Sequence, residues 1–393
     1  MAYNFDELID RKGTDSLKYD FAAERGKPEG LLPLWVADMD FKAPPEVLDA
    51  LMEASRHGIF GYTEVRLPYF KPLHDWYLKH FNWNTEPSWL VKTPGVVYAI
   101  CTAIRAFTDP GDGVLIQRPV YYPFTGSILD NDRLLVNNPL EFRDGHYGIN
   151  LDDFEAKVRE NKVRLFILCN PHNPVSRVWT RDELIAMGDI CVKYDVKIIS
   201  DEIHADFVYP GYRHTVLANL KPEFADLTVT CTAPSKTFNL AGLQVSNIFI
   251  SNQKLRQKFR KEICRTGYSQ LNAMGLVACH AAYEKGYPWL EELRTYLKGN
   301  VDYLRSFLQR ELPRVSLIEP EGTYLLWLNF QAFGLPEKEL DRIITDKAKL
   351  WLDHGTMFGP EGEGFQRINI ACPRATLERA LTQLKHAFDQ SGY

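Results

Sequence analysis

The chain lacks the features of a membrane-bound, disulfide-bonded or nucleic-acid-binding protein. No apolar run approaches the roughly 18 residues that a membrane-spanning helix needs, and the N-terminal stretch MAYNFDELIDRKG has no apolar signal-peptide core. The net charge of −5 gives no basic footprint for nucleic acid or acidic membranes. The 7 cysteines form no C-x-x-C pair, which favours reduced thiols over disulfides or a zinc site. These absences predict a cytoplasmic protein that binds neither membranes nor nucleic acid.

The composition is that of an ordinary globular protein, with 45% hydrophobic and 25% charged residues among 393. Since domains usually contain about 100–200 residues, the length predicts two domains, or one large domain with an appendage. Between residues 95 and 285, short apolar runs alternate with helical patterns, which predicts an α/β fold with a mostly parallel sheet between helices. The apolar runs are VLIQ (114–117), RLFILC (164–169), VKIIS (196–200), LTVTCT (227–232) and NIFI (247–250).

The pattern changes after Pro288. A long helical pattern is followed by two strand-like stretches, GTYLLWLNF (322–330) and QRINIA (366–371), and a last helix, which predicts a smaller α+β domain. The first forty-odd residues are irregular and rich in aromatic residues and prolines, which indicates an arm. The predicted regions are an N-terminal arm (1–45), a large domain (46–287) and a small C-terminal domain (288–393).

Polar residues follow the predicted strands of the large domain. In open α/β sheets, ligands bind beyond the carboxyl ends of the strands. A lone lysine after a strand is usually a solvated charge, so Lys236 alone carries little weight. The residues that follow three successive strands are Asn173 in NPHNP, Asp201 and His204 in DEIH, and Ser235 and Lys236 in APSKTF.

Two further features add to this set. Gly95 stands at the start of a predicted helix, whose free backbone N–H groups can hold an anion, and Tyr121 follows the strand VLIQ. Taken singly, Asn173 fits a turn, Asp201 a helix cap and Tyr121 a core position. Taken together, they supply an amine, a carboxylate, an amide, an aromatic ring and an anion site. Pyridoxal 5′-phosphate requires a lysine for its aldehyde, a carboxylate for its ring nitrogen and a phosphate site.

Longer motifs carry a family resemblance along nearly the whole chain. They are LPLWVADMDFKAPPEVLDAL, GIFGYTE, NPHNP, SDEIHADFVY, APSKTFNLAGLQ, GTYLLWL and GEGFQRINIACPR. With these motifs the chain resembles the fold-type-I pyridoxal-phosphate enzymes of the aminotransferase superfamily. Within them it is most similar to the MalY/PatB-type cystathionine β-lyases, also called cysteine C–S lyases. The resemblance implies a large domain with a mostly parallel sheet and a smaller α+β C-terminal domain.

The resemblance also implies a role for each matching residue in cofactor binding. Lys236 would bind the aldehyde carbon covalently, Asp201 would bond the pyridine N–H, and Asn173 would bond the ring hydroxyl oxygen. Tyr121 would stack on the ring. Further cofactor contacts would come from Gly95, Val96, Val97 and Ser235 at the phosphate, His204 near the ring, and Tyr62 from the neighbouring subunit.

On the substrate side, the resemblance implies that Arg367 clamps the α-carboxylate through its planar fork, with Ala37 and Asn173 beside it. Lys236, Tyr121 and Tyr62 would be the catalytic residues. The active unit would be a homodimer with shared active sites. The reaction would be α,β-elimination of L-cystathionine or a related cysteine thioether, with thiol, pyruvate and ammonia as products.

Three positions depart from the general aminotransferase pattern. His204 replaces a frequent tyrosine and Gln244 replaces a frequent arginine, and both changes favour the lyase branch. Val175 and Ser176 replace the usual pair that ends in glycine, so a positive φ at Ser176 would be strained or the turn rebuilt. Two alternatives stay open: a class I/II aminotransferase, and a regulatory binding protein with residual lyase activity. The sequence does not determine which sulfur amino acid is the substrate.

Overall fold

A seven-stranded sheet lies at the centre of the larger part of the chain in the computed structural model, which describes residues 3–393. The strand order is β2-β10-β9-β8-β7-β3-β4, and only β10 runs antiparallel to its neighbours. The predicted mostly parallel sheet is therefore confirmed. The strands are β2 (Leu90–Thr93), β3 (Gly113–Ile116), β4 (Leu134–Asn137), β7 (Val163–Cys169), β8 (Lys197–Asp201), β9 (Thr228–Thr232) and β10 (Ser246–Phe249).

Helices cover both faces of this sheet, because its strands are apolar on both sides. The sequence encodes one helix start clearly: Thr180 and Glu183 form a capping box at the N-terminus of α6. The helices of this part are α1 (Pro45–His57), α2 (Leu67–Phe81), α3 (Val96–Phe107), α4 (Pro123–Leu129), α5 (Leu151–Glu160), α6 (Arg181–Lys193), α7 (Pro222–Leu227), α8 (Pro234–Thr237), α9 (Gln253–Arg265) and α10 (Ala273–Lys285).

A second, four-stranded antiparallel sheet has the order β11-β12-β15-β14. Trp327 and Phe365 stack on each other across β12 and β15, with ring centroids 5.2 Å apart. The predicted limit between the domains, residue 287, falls on the first residue of α11, and the three domain limits remain predictions. The elements are β11 (Ser316–Leu317), β12 (Leu325–Asn329), β14 (Asp353–His354), β15 (Phe365–Asn369), α11 (Tyr287–Glu311), α12 (Glu337–Arg342) and α13 (Arg374–Asp389).

Within the predicted arm, residues 3–44 are irregular except for a 3-10 turn and one short strand. That strand, β1, pairs in parallel with β13 of the C-terminal part. Two-residue and three-residue strands of this kind contribute little stability alone, so packing and side-chain bonds fix the arm. The small strands are β1 (Leu32–Pro33), β5 (Glu141–Arg143), β6 (His146–Gly148) and β13 (Leu350–Trp351).

Residues 35–40, here named the strap, follow β1. The Asn239 Oδ1 atom accepts from the Met39 N–H at 2.9 Å, and Asn369 Nδ2 donates to the carbonyls of Val36 and Asp38, each at 2.6 Å. These bonds join the strap to the loop after α8 and to the end of β15. Ion pairs also anchor the strap. Lys18 and Asp40 form a buried pair at 2.8 Å, and the half-buried Arg11 pairs with Asp38 and Asp40 at 2.6 and 2.8 Å.

Candidate active site

A cavity of about 200 Å³ lies at the carboxyl ends of β7, β8 and β9. We name it the strand-end pocket. It brings together most of the residues that the sequence singles out, because parallel strands end at the same edge of the sheet. The lining residues are Ala37, Pro94, Gly95, Val96, Val97, Tyr121, Cys169, Asn173, Asp201, Ile203, His204, Ser235, Lys236, Ala241, Gln244, Val245 and Ser246.

Lys236 lies on the short helix α8, directly after β9. Its Nζ donates a hydrogen bond to the Ala37 carbonyl of the strap at 2.9 Å. Burial lowers the pKa of Lys236 to about 8, with Asp38 acting in the opposite direction and Arg367 reinforcing the decrease. A larger fraction of this amine is therefore neutral near pH 7 than for a solvated lysine, and the neutral amine is the nucleophile and base.

Hydrogen bonds to the Asp206 carboxylate hold the turn that carries Lys236. Thr237 Oγ1 donates to the Asp206 carboxylate at 2.6 Å, and Trp76 Nε1 donates to the same carboxylate at 3.0 Å. All three side chains are buried. Since these bonds fix the residue next to Lys236, they limit the positions from which its amine can act.

Asp201 is the last residue of β8 and is buried in the pocket wall. Its Oδ1 accepts from the Ile203 N–H at 3.2 Å, yet burial raises the pKa of Asp201 to about 7. A cationic N–H placed against this buried carboxyl group would stabilise its ionised form through the opposite charge. A protonated pyridine nitrogen is such a partner.

His204 follows Asp201 by one turn. Burial lowers the pKa of His204 to about 3, so its ring is neutral at physiological pH. The Nδ1 atom of His204 is buried and has no hydrogen-bond partner within the described range 3–393. An unpartnered buried nitrogen in a cavity wall is a ready contact for a polar ligand group.

The N-terminus of α3 forms another part of the wall. Gly95 is its N-cap in an extended conformation, and the N–H groups of Val96 and Val97 belong to the first turn, where a helix offers no internal acceptors. Such a terminus favours anions. Tyr121 lines the same cavity, and burial raises the pKa of its phenol above the ordinary value, so the ring stays neutral. Together with Ser235, this wall fits a phosphate and a flat aromatic ring.

Arg367 lies on β15 of the smaller sheet and is buried. Its Nη1 donates to Asn173 Oδ1 at 2.9 Å, and its Nη2 donates to the Trp35 carbonyl at 2.8 Å and forms an ion pair with Asp353. The predicted substrate clamp therefore reaches the strand-end pocket through Asn173. Since Asn173 uses its oxygen on Arg367, its amide Nδ2 remains a donor for the predicted ring oxygen.

Two predicted residues lie at or beyond the edge of the pocket. Gln244 lines the rim, where it is exposed and has a φ of 50°. Tyr62 is 98% exposed and is not part of the pocket wall. Within one chain, the structure therefore does not bring Tyr62 to the site.

Ser176 has a φ of 59°, so this position does use the left-handed conformation that glycine adopts most easily. Its Oγ donates to the Leu325 carbonyl at 2.8 Å. This bond to β12 offsets part of the backbone strain that the sequence predicts, and it ties the NPHNP loop to the smaller sheet.

The sequence reasoning missed three contacts of the site. Cys169 lines the pocket, Tyr324 donates its hydroxyl to the Ala37 carbonyl at 3.0 Å, and Asp353 pairs with Arg367. The Cys169 and Tyr324 positions could have been found, since one ends a predicted strand before NPHNP and the other lies in GTYLLW. Asp353 has no local signal, because only the pairing of β14 with β15 brings it to Arg367.

Residues 29–384 match the family model described as aminotransferase class I and II, and the chain belongs to this family. The chain is 45% identical to cystathionine β-lyase PatB of Bacillus subtilis over 98% of its own length and 99% of that protein. It is 32% identical to the protein MalY of Escherichia coli, over 98% of each chain. The crystal structure of cystalysin from Treponema denticola, which contains pyridoxal 5′-phosphate, matches with a TM-score of 0.96, 37% identity and full coverage of both chains. The predicted family and fold class are confirmed.

The residues present fit pyridoxal phosphate. Four features line one cavity: a lysine whose pKa burial lowers, a buried carboxyl group whose pKa burial raises, a histidine nitrogen with no hydrogen-bond partner among residues 3–393, and a helix N-terminus. Each matches a different part of the cofactor: the aldehyde, the ring nitrogen, the ring substituents and the phosphate. We find no group of metal-ligating side chains in residues 3–393, and no helix of that range is long and apolar enough to cross a membrane.

Proposed function

We propose that this protein is a pyridoxal-phosphate-dependent C–S lyase that cleaves L-cystathionine or a related cysteine thioether into a thiol, pyruvate and ammonia. One observation carries the proposal: Lys236, Asp201 and Asn173 converge on one pocket in a chain 45% identical to a cystathionine β-lyase. The likeness supplies the substrate class, and the pocket supplies the chemistry.

Pyridoxal phosphate, when bound, supplies an aldehyde that takes up amines and a cationic ring that withdraws electrons from the substrate Cα. Asp201 would pair with the ring nitrogen and keep it positively charged. Val96, Val97 and Ser235 would bind the phosphate, Tyr121 would cover one ring face, and Asn173 and His204 would bond the ring's polar substituents. These assignments rest on the pocket wall described above.

Lys236 has two tasks in this proposal. In the resting enzyme, its amine would hold the cofactor by the aldehyde carbon until a substrate amine takes that place. As a free amine beside the Ala37 carbonyl, Lys236 next removes the Cα proton. The Cβ–S bond breaks, and the sulfur leaves as a thiolate, a good leaving group since cysteine-like thiols have a pKa of about 8.5. Hydrolysis of the remaining three-carbon fragment gives pyruvate and ammonia.

Arg367 orients the substrate by binding its α-carboxylate, and the Ala37 backbone lies beside it. Because its Nη1 and Nη2 atoms are hydrogen-bonded to Asn173 and to the Trp35 carbonyl, the plane of the guanidinium is set before the substrate arrives. A preorganised planar fork recognises a carboxylate better than a flexible ammonium does.

We further propose a two-fold homodimer in which Tyr62 reaches the phosphate of the other subunit. The segment that carries Tyr62 also exposes Ile59 by 74% and Phe60 by 63%. Contiguous exposed apolar residues favour an interface, and a second copy of this chain would cover them. A cytoplasmic location agrees with 7 cysteines that are all free.

The deciding experiment is a product assay on purified holoenzyme with L-cystathionine and a panel of S-alkyl cysteines. We expect pyruvate, ammonia and free thiol in equal amounts without any keto acid. Turnover that requires a keto acid, and converts it to the amino acid, would identify an aminotransferase instead. Cofactor binding without turnover of any thioether would favour the regulatory binding protein.

A further inference from the structure

The Arg367 guanidinium is only partly used by the protein. Asn173, Trp35 and Asp353 accept hydrogen bonds from its Nη1 and Nη2 atoms, while its Nε is buried and has no partner among residues 3–393. A guanidinium has more N–H groups than these three acceptors use. Two of its five N–H groups, the one on Nε and one on Nη1, therefore remain as donors for a further carboxylate.

Asp353 is placed opposite Arg367 by the sheet itself. The two residues are direct partners in the antiparallel pairing of β14 with β15, and their side chains form an ion pair. Both side chains are buried, with 2% exposure for Asp353 and 3% for Arg367. The ring of Phe358 covers the guanidinium at 4.8 Å and keeps the pair away from water.

The surroundings of Asp353 offer little else to balance a negative charge. Arg367 faces it from β15, and the neighbouring His354 and the more distant Lys27 of the arm act on it more weakly. Tyr121 and Tyr122 face it from the start of α4 with neutral phenols. Burial raises the pKa of Asp353 in spite of the ion pair.

A substrate carboxylate on Arg367 would put two carboxylates on one buried guanidinium. Two like charges that share a buried site cannot both remain ionised at ordinary cost, and one of them gains a proton. Burial already raises the pKa of Asp353 while it is paired with Arg367, so Asp353 is the carboxylate that takes up the proton. A neutral Asp353 still accepts the hydrogen bond from Nη2 and keeps Arg367 in place.

We propose that Asp353 is a positioning residue that balances the charge of Arg367 in the substrate-free enzyme and takes up one proton from solvent when the substrate carboxylate binds. This proposal rests on the substrate-binding role of Arg367 given above. It makes carboxylate capture pH-dependent through a residue that is not among those lining the strand-end pocket.

The test is calorimetric titration of the holoenzyme with 3-(methylthio)propanoate, the deamino analogue of S-methylcysteine. This probe has the carboxylate and the sulfur but no amine, so it cannot displace Lys236. Titrations in buffers of different ionisation enthalpy report the protons taken up on binding. We expect an uptake approaching one proton per site in the pH range above the titration of free Asp353. Over that range, the probe's affinity should fall by up to about tenfold per pH unit, the limit for one linked proton.

Asp353→Asn keeps the shape and the acceptor but removes the titratable group, so its proton uptake should vanish and its affinity should become independent of pH. The matched control is Glu337→Gln, which removes a carboxylate near His354 that does not contact Arg367. This control should behave as the wild type. If Asp353→Asn does not fold, the wild-type proton count decides alone, because an uptake near zero overturns the proposal.

Two results separate this proposal from the proposed function. If Arg367→Lys binds the probe as tightly as the wild type, the carboxylate is held elsewhere and the role of Arg367 itself is wrong. If Arg367→Lys loses the probe but wild-type binding takes up no proton, only the role of Asp353 is wrong. Uptake that persists in Asp353→Asn would assign the proton to another group and would also overturn the proposal.

Discussion

The strand-end pocket and the exposed segment 58–66 are both assigned to the active site, yet their environments are opposite. Asp201 and Asn173 are buried, at 4% and 3% exposure, and are held by bonds within the chain. In the segment, Tyr62 is 98% exposed and its neighbours Ile59 and Phe60 are also in water. The contrast teaches that one chain builds the walls of the strand-end pocket, whereas in the proposed dimer the exposed segment would act only where a second subunit covers it.

The largest effect is expected inside the pocket, for Lys236→Ala. The variant should still bind pyridoxal phosphate through Asp201 and the α3 N-terminus, but turnover should fall by about 10⁴-fold, the upper end for loss of a general base, because the base at Cα is lost. Borohydride reduction followed by peptide mapping should place the cofactor on Lys236 in the wild type. The control Lys193→Ala removes a lysine whose side chain is 62% exposed and should leave activity unchanged. A labelled peptide around any other lysine would contradict the assignment.

The second prediction concerns how much the buried Asp201 carboxylate lowers the free energy of unfolding when no cofactor is bound. In cofactor-free protein, Asp201→Asn should raise the free energy of unfolding by about 2–4 kcal/mol at pH 8, since each pKa unit corresponds to about 1.4 kcal/mol. The folded pKa of about 7 lies above the unfolded value, so the folded state holds more protons between these values. The wild-type penalty is therefore full above pH 7 and disappears as the pH falls towards 4.

Denaturant unfolding across this pH range measures the effect, with Asp195→Asn as the control. Asp195 lies near the other end of β8, and its side chain is 78% exposed. This control should change stability little at any pH. With the cofactor bound, the order should reverse, because the ring N–H gives wild-type Asp201 its missing partner. An equal loss of stability in both states would show that Asp201 is satisfied without the cofactor.

Arg367→Lys is expected to have a smaller effect. The charge stays, but the fork that holds Asn173, Trp35 and the substrate is lost, so kcat/KM for L-cystathionine should fall about 10²-fold with the cofactor still bound. Arg305→Lys is the matched control, because Arg305 donates a bidentate pair of hydrogen bonds to Glu319 on the surface. Near-normal efficiency of Arg367→Lys would place the carboxylate on another group, such as the backbone near Ala37.

The smallest effect is expected in the exposed segment. Tyr62→Phe should reduce activity about tenfold, the value of one hydrogen bond to a charged group. Mixing this variant with inactive Lys236→Ala should then raise the activity, because one site of each mixed dimer has both native residues. The control Tyr212→Phe changes another exposed tyrosine and should do neither. A fully active monomer, or simple dilution of activity on mixing, would remove Tyr62 from the site.

Local patterns predicted a large part of this protein. The runs at 164–169, 196–200 and 227–232 are β7, β8 and β9 within one or two residues. The strand-end rule and the motifs then located Asn173, Asp201 and Lys236. These features depend on short-range periodicity and on the parallel direction of neighbouring strands, which the sequence carries locally.

Only the tertiary structure decided how distant segments complete the site. Ala37 of the strap accepts the hydrogen bond of Lys236, which lies 199 positions further along the chain. Asp353 meets Arg367 because β14 and β15 pair in the register that places these two residues opposite each other. The structure also decided that Tyr62 lies in water rather than in the pocket of its own chain. No local pattern encodes such contacts, since they depend on the packing of elements that are far apart in the sequence. Membership of the family thus followed from the sequence, while the charge balance at Arg367 came from the fold.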